Sequence, residues 1–238
     1  MTDVLLLHAG IADRRMWAPQ VEVLEAAGHR PIAPDLPGFG EAALEPGAID
    51  YVAFAGDRLD GPAAVVGCSF GGRVALELAV ARPELVHRLV LIAPGLGSWD
   101  WSEQAQAGFA EEEAAIERGD LAAAAEQQAR MWLATDADAA VRALTAAMTM
   151  RSYEQQLPLE GHVTVTWPQP SAESRLSDVR APTLVLVGSA DLEDMLSATE
   201  MLAREIPAAR LETIDGAGHL PSLERPDELN RLLLEFLS

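Results

Sequence analysis

Residues 67–71 read Gly-Cys-Ser-Phe-Gly at the end of an apolar run, 63–66, and a helical pattern follows at 73–81. A serine between two glycines at a sharp strand-to-helix turn is the sequence form of a nucleophile elbow. Such a turn strains the serine backbone by about 1–3 kcal/mol and excludes bulky flanking side chains, but it lifts the hydroxyl clear of the sheet. The amide of Phe70, at the start of the helix, points to the same spot, where the positive end of the helix favours an oxyanion. Alone, Gly-x-Ser-x-Gly also occurs in inert glycine loops. The neighbouring motifs decide the matter.

A serine hydroxyl is a weak nucleophile until a base takes its proton, and the base works best when a buried carboxylate orients it. After the apolar run 183–187 comes Gly188-Ser189-Ala190-Asp191, and after the run 210–214 comes Asp215-Gly216-Ala217-Gly218-His219-Leu220-Pro221. We assign Asp191 as the orienting acid and His219 as the general base, with Asp194 as the runner-up acid if the loop is shifted. After the first apolar run, His8-Ala9-Gly10-Ile11 forms a turn that supplies a second oxyanion amide, that of Gly10 or alternatively Ile11. His8 reads as a turn-stabilising residue. His29, His87 and His162 have no ligand spacing, so no metal is expected. Cys68 reads as a small packing residue beside the nucleophile.

These residues need elements to hold them. Short apolar runs bounded by turns recur at 4–7, 31–33, 63–66, 88–92, 183–187 and 210–214, and such continuous β-rich runs suggest strands covered on both faces. Helical patterns at 17–27, 52–59, 73–81, 197–206 and 226–237 alternate with them, so we expect an α/β fold with a mostly parallel sheet of about six strands flanked by helices. In a parallel sheet all carboxyl ends face one way, which lets loops distant in sequence meet. From 95 to 169 no strand run is convincing, and helices are expected at 102–118, 120–134 and 138–157 with starts at Ser102, Asp120 and Asp138. The expected division is a core of 1–94 and 170–238 with a helical cap insertion at 95–169.

The chain has 238 residues, with 37 acidic side chains against 17 basic ones, all arginine, for a formal charge of −20. This charge argues against nucleic acid and anionic membranes as partners. A single cysteine excludes an internal disulfide and fits a reducing compartment. The amino terminus has no signal-peptide pattern and no run approaches a membrane span, so a cytoplasmic protein is expected.

The chain resembles the α/β-hydrolase superfamily over nearly its whole length, through His8-Ala9-Gly10 with Trp17, Asp35-Leu36-Pro37-Gly38-Phe39-Gly40, Gly67 to Gly72, Ala181 to Asp191 and Gly216 to Pro221. It is similar in particular to capped small-molecule esterases, enol-lactonases and carbon–carbon hydrolases. Two departures stand out: Ala9 replaces a customary glycine, and the amino-terminal hairpin is missing because the first strand begins near residue 3. The resemblance implies a cofactor-independent serine hydrolase that acts on a small or medium uncharged ester through an acyl-enzyme. Ile11, Trp99, Trp101, Met131, Trp132, Trp167 and Leu220 are candidate pocket residues. The alternatives are an enol-lactonase or carbon–carbon hydrolase, whose carboxylate substrates would need Arg130, Arg142 or Arg151, and a non-catalytic ligand-binding homologue. Oligomeric state is left open.

Overall fold

The computed structural model describes residues 2–238. Six parallel strands form the main sheet, in the spatial order Arg30–Ile32 (β2), Asp3–Leu7 (β1), Ala63–Cys68 (β4), Val86–Ile92 (β5), Thr183–Gly188 (β7) and Arg210–Ile214 (β8). Register runs through Leu6↔Val66, Val66↔Val90 and Val90↔Leu184, so each strand's alternate residues line up in rows across the sheet.

Those rows explain the apolar runs of the inner strands, whereas the edge strands β2 and β8 are largely exposed, against the expectation that all six are covered on both faces. Leu5, Leu7, Val65, Leu89, Leu91 and Val185 face one core, which α2 (Tyr51–Gly56), α3 (Phe70–Ala81) and α7 (Glu193–Glu205) cover. Val4, Leu6, Val66, Val90, Leu184 and Leu186 face the other, which α1 (Ala18–Ala26) and α9 (Pro226–Leu237) cover. The α9 stripe Leu229, Leu232, Leu233 and Leu237 has helical spacing and is buried throughout. Each such leucine contributes about 1.5–3 kcal/mol by leaving water.

Between β5 and β7 run α4 (Glu103–Glu117), α5 (Leu121–Trp132) and α6 (Ala139–Gln156), each opened by a side-chain cap from Ser102, Asp120 or Asp138. Ala129, Leu133 and Met148 of this segment join the core of the α1/α9 face. One expectation fails here. Val163–Val165 is a strand, β6, and it pairs in parallel with β3 (Gly47–Ile49). Three-residue strands are too short to show a period, and the pairing joins segments more than a hundred residues apart.

Helices also start earlier than their sequence signals. α3 begins at Phe70 rather than 73, and α7 at Glu193 rather than 197. The glycines that hide the start of α3 are needed for close approach. A Cβ on Gly71 would lie 2.3 Å from the Leu7 carbonyl oxygen, so only glycine lets the helix enter against β1.

Candidate active site

The strand order reverses direction at β1 and β4, and there the loops following both strands lie side by side. Ser69 sits at the end of β4 with φ 51° and ψ −115°. This left-handed backbone costs about 1–3 kcal/mol, and its surroundings hold it in place. Ser69 N–H donates to Ile92 O at 2.9 Å, while Gly95 N–H and Arg73 N–H both donate to Ser69 O at 2.9 Å. Gly71 N–H donates to His8 O at 3.0 Å, yet the intervening Phe70 N–H has no acceptor among the described residues. The N–H groups of Gly10 and Ile11 are likewise without acceptors among the described residues. Gly10 lies against Phe70, with its would-be Cβ 3.6 Å from the Phe70 Cβ.

The loops after β7 and β8 bring in the other two groups. His219 Nδ1–H donates to Asp191 Oδ2 at 2.8 Å, with both side chains almost wholly buried. The second carboxylate oxygen accepts from Leu192 N–H at 2.8 Å, which fixes its plane. Ala190 N–H donates to Ala217 O at 2.8 Å and Ser189 N–H to Ile214 O at 3.0 Å, so the two loops are laced together. Gly188 permits this, because a Cβ there would lie 2.2 Å from both Ala217 O and Gly218 O. His219 Nε2 is buried with no hydrogen-bond partner among the described residues. With Nδ1 protonated against a carboxylate, Nε2 carries the lone pair of a base.

Cys68 ties the serine strand to the histidine loop, its Sγ donating to His219 O at 3.5 Å. Burial, then the nearby carboxylates of Asp191 and Glu224, push its thiol well above the ordinary range, so it is inert at neutral pH. Asp194 turns away from His219. Its carboxylate accepts from Ser102 N–H and Ser102 Oγ–H, both at 2.7 Å. Burial alone would raise its pKa, but these bonds outweigh it and hold the carboxyl below the usual range.

The pocket candidates separate into groups. Ile11, Trp101, Met131 and Trp132 gather in one apolar cluster with Phe109 and Met195. Trp132 stacks over His219, its ring centroid 4.3 Å from the imidazole. Trp167 packs edge-on against Phe70 at 6.0 Å. Leu220 belongs to the core beneath, and Trp99 lies beside Asp194. Phe109 and Met195 join the cluster without any local signal in the sequence. Met195 falls in the first turn of α7, ahead of where the helical pattern was expected to begin.

His8 is structural. Its Nε2 accepts from Leu36 N–H at 2.9 Å and its Nδ1–H donates to Ala9 O at 2.9 Å. Burial holds its imidazole below the ordinary histidine range. The folded state therefore refuses a proton that the unfolded chain accepts below about pH 6.5. Stability due to His8 is present above that pH and falls with acidification, by up to about 1.4 kcal/mol per pH unit, until the folded value is reached. Thermal unfolding between pH 7 and 5.5 is expected to show a steeper loss of Tm in the wild type than in His8→Asn. Parallel declines would contradict this role.

Among the described residues no three His, Cys, Asp or Glu side chains are grouped to hold a metal ion. No helix among them is long and apolar enough to cross a membrane. The profile of the alpha/beta hydrolase family matches residues 4–232. The chain belongs to this family. It is 31% identical over 249 residues to the pimeloyl-[acyl-carrier protein] methyl ester esterase of Aromatoleum aromaticum, covering 95% of this chain and 94% of that one. It is 27% identical to the 2-hydroxy-6-oxononadienedioate/2-hydroxy-6-oxononatrienedioate hydrolase of Burkholderia vietnamiensis, over 98% of this chain and 86% of the other. Among solved structures, a thermophilic esterase from Thermogutta terrifontis superposes with a TM-score of 0.79 at 28% identity, over 100% of this chain and 89% of that chain. As a member of the alpha/beta hydrolase family with such relatives, the protein is a hydrolase.

Proposed function

We propose that the protein is a serine esterase that cleaves carboxylic esters of small or medium uncharged substrates through an acyl-enzyme. The observation that carries this reading is the buried Asp191–His219 bond of 2.8 Å, which leaves Nε2 free as a base at the rim that bears Ser69. Ser69 Oγ attacks the ester carbonyl carbon as Nε2 takes its proton. The Phe70 and Gly10 amides hold the oxyanion; each such donor is worth about 3–4 kcal/mol. The tetrahedral intermediate collapses as the imidazolium protonates the departing alkoxide. Water, deprotonated by the same Nε2, then releases the acid and restores Ser69. Asp191 keeps the imidazole in the productive tautomer throughout. Residues 95–169 act as a cap over a core of 1–94 and 170–238, and the cluster around Trp101, Met131 and Trp132 forms the apolar wall against which the substrate lies.

An uncharged ester is favoured over the carboxylate substrates of carbon–carbon hydrolases because the three cap arginines line clefts that contain neither Ser69 nor His219, Arg130 and Arg142 one with Glu126, and Arg151 one with Asp35 and Glu154. Arg142 donates to Ala134 O at 2.5 Å and Arg130 to Gln127 Oε1 at 2.5 Å. Arg151 is held by Gly40 O at 3.1 Å and Glu154 at 3.2 Å. A fluorophosphonate probe is expected to add to Ser69, located by peptide mass spectrometry, and p-nitrophenyl esters of short and medium acyl chains are expected to turn over faster than a ring-cleavage dienoate. Turnover of the dienoate alone would overturn the ester assignment. Absence of the Ser69 adduct would overturn the serine mechanism.

A further inference from the structure

Glu224 is buried one turn beyond His219, at 8% exposure. Its two carboxylate oxygens serve different parts of the chain. Oε2 accepts from Leu220 N–H at 3.0 Å, on the histidine loop, and Oε1 accepts from Ala134 N–H at 2.7 Å, just past the end of α5. The same two segments meet a second time, where His219 N–H donates to Trp132 O at 2.8 Å. They touch so closely that a Cβ on Gly218 would lie 2.5 Å from Ala134 N and 2.7 Å from Trp132 O. Trp132 itself is held at its far edge, its Nε1–H donating to Gln128 Oε1 at 2.7 Å, while its ring covers the imidazole. On the surface, Arg225 adds a 3.7 Å contact to Asp136, which at its exposure contributes little.

We propose that Glu224 is a positioning residue whose carboxylate joins the end of α5 to the histidine loop, so that the imidazole of His219 and the Trp132 ring above it are set as one unit. This deepens the serine-esterase reading and rests on it. An ionised carboxylate is acceptor-only and can satisfy two converging backbone N–H groups at once. An amide in the same place offers one oxygen and turns an NH2 toward the other donor. Alanine leaves both buried N–H groups unpaired and the two segments free to separate. A displacement of about 1 Å at a general base costs about a hundredfold in rate.

The test measures the second-order rate of Ser69 modification by a fluorophosphonate and kcat/KM for a p-nitrophenyl ester, alongside the folded fraction from thermal unfolding. Glu224→Ala is expected to lower both rates about a hundredfold at a temperature where the variant is fully folded. Glu224→Gln should recover part of that loss, because it retains one of the two bonds. Trp132→Leu should slow modification of Ser69 as well, whereas Trp132→Phe, which keeps a stacked ring, should slow it less. Wild-type rates in folded Glu224→Ala, or losses that merely follow the unfolded fraction, would overturn the proposal. If Glu224→Ala does not fold, a wild-type rate in Glu224→Gln does the same. Failure of the wild type itself to be modified at Ser69 would instead remove the serine-esterase reading, and the positioning role with it.

Discussion

Ser69→Ala is expected to lower ester turnover about a millionfold, the scale seen when the serine of such a constellation is removed. The effect is large because the neighbouring thiol cannot replace the hydroxyl. Cys68 is adjacent in sequence but points into the core, with its thiol held protonated by burial. The variant should unfold within a few degrees of the wild type, because alanine suffers the same left-handed strain at φ 51°. Ser69→Gly should be comparably inactive yet gain about 1 kcal/mol of stability, since glycine adopts that backbone without a Cβ clash. Steady-state turnover with a p-nitrophenyl ester and a thermal melt of both variants check the two halves together. Hydrolysis at the wild-type rate by Ser69→Ala would place the nucleophile elsewhere.

The second large effect separates two carboxylates only three residues apart. Asp191→Asn is expected to cost about ten-thousandfold in turnover. Its amide can present an N–H to His219 Nδ1, which favours the tautomer that carries the proton on Nε2, where the lone pair is needed. Asp194→Asn should leave turnover within about tenfold and act on stability instead, weakening the two bonds that seat Ser102 at the start of α4. Loss of those charge-assisted bonds costs about 1–2 kcal/mol. Kinetics of both variants, with melts as controls, decide the matter. A severe kinetic defect confined to Asp194→Asn would reverse the assignment of the acid.

How much of this was legible beforehand varies with how local each feature is. The inner strands of the main sheet were readable because strands covered on both faces are apolar almost throughout, as 63–66, 89–92 and 184–187 are. The caps Ser102, Asp120 and Asp138 marked the three long helices to within a residue or two, since capping is a contact between a side chain and amides two or three positions away. The β3–β6 pair was not readable, because its bonds join segments that only the completed fold brings together. At the site, the serine turn and the loops bearing Asp191 and His219 announced themselves through glycines and strand ends. The role of Glu224 did not. One buried glutamate in a chain with 37 acidic residues has no sequence mark, and its partners are a neighbouring amide and one from a different element.

Residue order alone determined which groups were available to react and on which strand ends they stood, because parallel strands place their following loops on one rim whatever else the chain does. Tertiary structure decided which carboxylate meets the imidazole, which apolar side chains gather beside it, and how the end of α5 is tied to the His219 loop. Those outcomes depend on distances of an ångström or less between segments far apart in sequence. Only close packing, with glycines at positions such as 71, 188 and 218 where a single Cβ would collide with backbone, sets distances that fine.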